Sequence, residues 1–252
     1  MKLTFLGVSS ALSVGYKNFH SNMLIEKDES SPKLLIDCGG DVRHSLYELG
    51  YCAADIDAAY ISHLHADHVG GLEWLAFSKF FGERRQLPLY ISSDQRKTLW
   101  DHVLSGGMST LEEQDSTLET FFKLEPTDDN KFIWNGGDFE LVKVPHSYSN
   151  HQLLPSYGLF ISGTKSSVFI TSDTRFAPDI LNEVYERADI IFHDCETSRH
   201  FSNQHAHYTQ LVTLPLHIKQ KMWLYDYNDA CLPDAVSDGF RGFVTRGQIF
   251  EF

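Results

Sequence analysis

One run of residues constrains this chain more than any other: Tyr60-Ile61-Ser62-His63-Leu64-His65-Ala66-Asp67-His68-Val69-Gly70-Gly71. Apolar residues lead into His63, so the histidines are expected at the end of a buried strand, in a loop before a helix that starts near Leu72. His63 and His65, two apart on extended backbone, point to the same side. Asp67 and His68 follow in the turn, where the chain can curl back to a second ion. Imidazole and carboxylate are ligands for Zn²⁺ and for similar transition metals. A lone His-x-His is weak evidence. The full His-x-His-x-Asp-His run, behind a strand and before Gly-Gly, is specific for a metal loop.

Composition bounds the rest. The chain has 252 residues, with 21 Lys+Arg against 34 Asp+Glu, a formal charge of −13. That length suits one domain spanning residues 1–252. A 42% hydrophobic share with 22% charged residues describes a globular protein with a core. No stretch approaches the roughly 20 apolar residues of a membrane span. The acidic balance argues against stable nucleic-acid binding through blanket phosphate neutralisation. Four cysteines, Cys38, Cys52, Cys195 and Cys231, are too scattered for a disulfide framework, so a reduced, cytoplasmic protein is expected. The opening Leu3-Thr4-Phe5-Leu6-Gly7-Val8 reads as a first strand ending in a Gly/Ser turn, not as a targeting signal.

Short apolar strand candidates recur along the chain: Leu3–Leu6, Ser21–Glu26, Lys33–Asp37, Ala58–Ser62, Leu87–Ile91, Phe139–Val144, Gly158–Ser162, Ser167–Thr171, Ile190–His193 and Met222–Tyr225. Helical spacing appears over Val42–Leu49, Leu72–Lys79, Ser93–Val103, Ala177–Arg187 and Thr209–Leu216. Interleaved strands and helices predict an α/β protein with sheet packed under helices. The polar, acidic stretch around residues 105–130 predicts a surface excursion, with a lid or dimer arm as the functional alternative.

The metal loop resembles that of the metallo-β-lactamase fold hydrolases, which implies an αββα sandwich of two β-sheets flanked by helices. Asp37 in Leu34-Leu35-Ile36-Asp37-Cys38-Gly39 resembles the family's strand-end aspartate that supports the metal loop. His146 in Val144-Pro145-His146-Ser147 sits where the next ligand belongs, and Asp173 in Phe169-Ile170-Thr171-Ser172-Asp173-Thr174 resembles the carboxylate bridging two metals. The metal ligands implied by the resemblance are therefore His63, His65, Asp67, His68, His146 and Asp173. They imply two divalent ions per chain, Zn²⁺ first and Mn²⁺ as the alternative.

Within that family the chain is most similar to the tRNase Z-like branch. His193-Asp194-Cys195-Glu196 resembles its His-Glu motif, and His205-Ala206-His207-Tyr208-Thr209 its helix-opening histidine. The resemblance makes His205 the proton donor to a leaving oxygen, with His207 as its rival. It makes Asp67 an orienting group for the attacking water. Asp226, in Met222-Trp223-Leu224-Tyr225-Asp226-Tyr227, stands where those relatives carry a final histidine ligand; an aspartate there makes the second metal site more anionic.

The true tRNase Z enzymes of this branch insert a tRNA-gripping arm between the His146-like and Asp173-like positions. Here the two are only 173 − 146 = 27 residues apart, and Lys165 is the only Lys or Arg between Ser149 and Ser167. The compact members that the sequence resembles almost end to end are the anti-Pycsar cyclic-nucleotide phosphodiesterases, which destroy cyclic mononucleotide immune signals. That resemblance implies hydrolysis of 3′,5′-cyclic nucleotides, cyclic CMP and UMP included, to 5′-monophosphates. It also implies a homodimer and, for a phage-encoded protein, work in the host cytoplasm. An RNA 3′-processing nuclease and a metal-dependent nucleotide sponge without turnover are the alternatives. Tyr148, Tyr157 and Tyr208 are candidate stacking surfaces for a base, with ordinary packing as the equal alternative. Phe77, Phe80 and Phe81 are expected in the core, with a dimer contact as the alternative.

Overall fold

The structure, a computed structural model, describes residues 1–14, 18–28, 30–112, 114–163, 165–228 and 231–252. The chain builds two seven-stranded sheets. The spatial order in the first is Ile249–Glu251, Lys2–Phe5, Met23–Glu26, Leu34–Ile36, Ala58–Ile61, Leu87–Ile91 and Phe122–Leu124. In the second it is Gly242–Phe243, Met222–Tyr225, Ile190–Asp194, Ser167–Ile170, Tyr157–Ser162, Gly137–Lys143 and Lys131–Trp134. Leu34–Ile36 and Ala58–Ile61 are parallel neighbours in the first sheet, and Ser167–Ile170, Ile190–Asp194 and Met222–Tyr225 in the second.

Alternation along these strands sorts the side chains into three cores. Leu34, Ile36, Tyr60, Val168 and Ile170 face the space between the sheets, where they meet Phe5, Phe139 and Phe192. Their neighbours Leu35, Ala59 and Ile61 point the other way, under the helices Val42–Glu48 and Leu72–Phe77. On the far side, Phe169, Ile191 and Leu224 are covered by Leu181, Val184 and Tyr185 of the helix Pro178–Arg187. Those three residues repeat at three- to four-residue spacing, which gives the helix one apolar face, and its opening proline lacks only an N–H that no helical turn requires. The layers run helix, sheet, sheet, helix, as the αββα expectation has it. The described residues contain no helix long and apolar enough to cross a membrane.

Several expectations change. The helix expected over Thr209–Leu216 is two short turns, Tyr208–Leu211 and Leu216–Lys219. Pro215 breaks it, because proline has no N–H for the helical ladder and caps the second turn instead. The Leu72 helix runs past Lys79 through a wider-turned segment, Ser78–Glu83. In the 105–130 stretch, Leu118, Phe121 and Phe122 are buried and Phe122–Leu124 forms a sheet edge, so this half is part of the core layers. Among the described residues of the stretch, the small hairpin Thr110–Leu111 with Gln114–Asp115 and the turn Asp128–Asn130 fit an exposed excursion. Phe77 and Phe80 pack against the core, whereas Phe81 is 51% exposed. Tyr157 and Tyr208 are buried, with hydroxyls donating to Asp94 and Asp238. Packing accounts for them.

Candidate metal centre

The chemistry-bearing residues sit where parallel strands end, the usual place for ligands in sheets of this kind. Asp37 follows Leu34–Ile36, and His63 follows Ala58–Ile61 through Ser62. Asp173 lies just beyond Ser167–Ile170, Asp194 ends its own strand, and Asp226 follows Met222–Tyr225. Asp37 and Asp226 have left-handed backbones, φ 60° and 63°, a conformation that aspartate tolerates better than most residues and that turns each chain sharply out of its strand.

Three overlapping groups of donor atoms result: His63, His65, His146 and Asp173; Asp67, His68 and Asp173; and Asp173, Asp194, His205 and Asp226. Within each group the candidate ligand atoms lie within 4.8 Å of one another, and Asp173 is common to all three. His65 Nδ1 lies 3.0 Å from His63 Nε2 and 3.1 Å from His146 Nε2. The outer nitrogens of these rings are held from behind. His146 Nδ1 donates to the Gln204 carbonyl at 2.8 Å, and His63 Nδ1 is 3.1 Å from Ser62 Oγ. Asp37 Oδ2 meets His68 Nδ1 at 2.7 Å, while its Oδ1 accepts from the Ser62 N–H at 2.8 Å. His68 Nε2 is thereby aimed at Asp67 Oδ2, 3.1 Å away, and Asp173 Oδ1, 3.3 Å away.

The electrostatics ask for cations. Burial holds His63 well below the ordinary histidine range and lowers His146 to about 4, so both rings present lone pairs near neutrality. Burial opposes charge on His205 too, but Asp194 and Asp173 outweigh it and raise that ring to about 11. Burial likewise opposes the His68 cation, and Asp173, Asp67 and Asp37 overcome it. Burial, reinforced by Asp173 and Asp194, pushes Asp226 well above the carboxylate range, and burial lifts Asp194 to about 6 against the pull of His205. His68 Nε2, Asp173 Oδ1, Asp194 Oδ1 and Asp226 Oδ2 are all buried without a hydrogen-bond partner. Unpaired buried donors and acceptors are costly, and those four belong to the two donor groups that meet at Asp173. This donor set fits divalent metal.

The site residues expected from sequence are distributed as follows. His63, His65, Asp67, His68, His146, Asp173, His205 and Asp226 come together. Asp37 stands behind His68. His193 does not join them: its Nε2 meets Tyr185 Oη and its Nδ1 the Asp194 carbonyl, each at 2.6 Å, in the outer layer of the second sheet. The next residue, Asp194, faces the site instead, because successive strand residues point to opposite faces. Asp194 was missed as a donor, although its place at the end of a strand beside Asp173 and Asp226 was a usable signal. His207 caps the turn that follows it, accepting from Thr209 N, and stacks on Phe201 at 4.1 Å. Tyr148 is half exposed, with the Arg175 guanidinium 4.7 Å from its ring centre.

Two clefts share the His65 and His146 wall. One, of about 250 Å³, is lined by Asp94, Gln95, Thr98 and Leu154 beside His63. The other, of about 410 Å³, is lined by Asp67, Glu196, His205, Asp226 and Asn228.

Fold and site together define a protein of the metallo-β-lactamase fold with a candidate centre for divalent metal. At the level of fold, the chain is similar to the metallo-β-lactamase fold protein YhfI from Bacillus subtilis (TM-score 0.73, 19% identity, 99% of this chain and 98% of that one). It is similar in the same way to the short form of human tRNase Z (TM-score 0.67, 16% identity, 100% and 99%). The family profile described as anti-Pycsar protein Apyc1 matches residues 1–250, and the chain belongs to that family. A relative with that name from Paenibacillus harenae is 34% identical over 254 residues, covering 100% of this chain and 97% of its own length.

Proposed function

We propose that the protein hydrolyses 3′,5′-cyclic mononucleotides, cyclic CMP and UMP among them, to 5′-monophosphates and so disarms a cyclic-nucleotide antiviral signal. The observation that carries this reading is the scale of the site. The donor cluster lies between clefts of about 250 and 410 Å³, room for a nucleotide. The interval between His146 and Asp173, where an RNA-gripping arm would be inserted, is occupied by a small hairpin (Tyr148–Ser149 with Gln152–Leu153) and two strands of the second sheet. A charge of −13 adds no long-range attraction for polynucleotide. The family's name, anti-Pycsar, agrees with a cyclic-nucleotide target.

His63, His65, His146 and Asp173 would hold one cation; Asp67, His68 and Asp173, with Asp194 and Asp226, would hold a second. Divalent ions there supply Lewis acidity towards a phosphodiester and make water a competent nucleophile near neutral pH. The imidazole-rich pocket suits Zn²⁺, and the carboxylate-rich pocket also suits Mn²⁺. Asp67 lines the larger cleft and orients the attacking water. His205 lines the same cleft with Nδ1 held 2.9 Å from Asp194 Oδ2, which leaves Nε2 to protonate the departing sugar oxygen. Tyr148, under Arg175, offers the exposed aromatic face near His146. The same reading carries a homodimer working in the cytoplasm.

The test is to incubate the metal-analysed protein and its Asp67→Ala variant with cyclic UMP, cyclic CMP, cyclic AMP and a precursor tRNA, and to resolve the products by chromatography. We expect 5′-monophosphates from the wild type, intact tRNA, and turnover lowered at least about 10²-fold in the folded variant. Cleaved tRNA with intact cyclic nucleotides would establish an RNA nuclease instead. Stoichiometric binding without product would establish a sponge.

A further inference from the structure

The loop from Glu196 to His207 reaches both halves of the metal centre and is held chiefly by one side chain. Glu196 is 7% exposed. Its Oε1 accepts from Ser198 Oγ at 2.8 Å, and its Oε2 accepts from the Ser202 N–H and Ser202 Oγ, both at 3.0 Å. Ser202 Oγ in turn accepts from the backbone N–H groups of Gln204 at 3.1 Å and His205 at 3.4 Å. Gln204 carries the contact onward: its carbonyl accepts from His146 Nδ1 at 2.8 Å and its Oε1 from Ser147 Oγ at 2.7 Å. The Glu196 backbone is itself pinned, with its N–H donating to Ala206 O and its carbonyl accepting from Tyr208 N, each at 2.9 Å.

We propose that Glu196 is a positioning residue for the metal centre, acting through Ser202 and Gln204 to fix His146 and His205 together. A hydroxyl has one proton and two lone pairs. With its proton given to Glu196, Ser202 Oγ turns both lone pairs to the N–H groups of Gln204 and His205. The Gln204 carbonyl then keeps the His146 proton on Nδ1, which leaves Nε2 as the donor towards the ion. The same backbone delivers His205 to Asp194. One buried carboxylate therefore sets the geometry of one ligand, His146, and of the proton donor, His205, without touching an ion, and outer hydrogen bonds of this kind tune metal affinity.

Glu196→Ala, Glu196→Gln, Ser202→Ala and the double Glu196→Ala/Ser202→Ala variant test this. Zn²⁺ affinity is read by competition with a chromophoric chelator, and thermal melting is read on the chelated protein. We expect each alanine variant to lose about 10- to 100-fold in affinity. The double variant should lose no more than the worse single, because both act through one hydroxyl. Glu196→Gln, which keeps an oxygen acceptor, should recover part of the loss. Affinities within about twofold of wild type, or single losses that multiply in the double variant, would overturn the assignment. So would a fall in melting temperature with metal affinity unchanged. If Glu196→Ala does not fold, Glu196→Gln and Ser202→Ala carry the same decision.

Discussion

Asp37 and His68 are both buried and joined at 2.7 Å, and the second Asp37 oxygen braces Ser62, the residue before His63. Asp37→Ala removes the partner that fixes the His68 ring and leaves the Ser62 N–H unsatisfied. Zn²⁺ affinity should fall about 10- to 100-fold with the variant still folded, as competition titration would show. The two candidate proton donors separate in the same way. His205→Ala should lower turnover by about 10²–10⁴-fold. His207→Ala, which loses a cap on a short turn, should cost about 1 kcal/mol of stability with turnover near wild type. Equal rate losses from the two would remove His205 from its role. At this scale the metal run was legible because five polar residues interrupt an apolar strand end with fixed spacing. Asp194 was not, because its neighbour His193 carried the more eye-catching chemistry, and only the pleat of the strand decides which of the two faces the site.

The metal loop is held by a second strand end packed directly against it. Cys38 N donates to His68 O at 2.7 Å, Gly71 N donates to Cys38 O at 2.8 Å, and Gly39 N donates to Asn22 Oδ1 at 2.7 Å. A Cβ on Gly39 would stand 2.1 Å from the Asp67 carbonyl, so the Asp37–Gly39 turn and the Ala66–Val69 turn approach as closely as backbones can. Gly39→Ala must push the metal loop away. We expect a loss of about 1–3 kcal/mol by urea unfolding together with weakened metal binding, since the displaced backbone carries Asp67 and His68. The central strands were readable from sequence because buried strands are runs of Val, Ile, Leu and Phe bounded by turn residues. The strands of the two large sheets that were not anticipated, Phe122–Leu124, Lys131–Trp134, Gly242–Phe243 and Ile249–Glu251, are the sheet edges. There one face meets water and residues such as Lys123, Lys131 and Glu251 blur the apolar pattern.

At the scale of the whole molecule, two sheets bring carboxylates and imidazoles from ends far apart in sequence into one largely buried cluster, and its titration links pH to stability. In protein stripped by chelation, His146 has its folded value lowered from the ordinary 6.5 to about 4 by burial. Its contribution is present above 6.5 and is lost as pH falls towards 4, because the unfolded chain binds that proton first. His205 runs the other way. Burial opposes its charge, yet Asp194 and Asp173 raise it from 6.5 to about 11, so its contribution is complete below 6.5 and is lost as pH rises towards 11. Chelated protein should therefore melt highest near neutrality and several degrees lower at about pH 5 and about pH 9. On the proposed reading, divalent metal would replace the proton as the counter-charge to Asp173, Asp194 and Asp226. Loaded protein should accordingly keep its melting temperature at about pH 9, and should lose it more steeply on the acid side, where protons displace metal from the histidines. Melting curves of chelated and loaded protein at the three pH values test both arms. An alkaline loss of equal size in the two forms would show that His205 does not share its carboxylates with an ion.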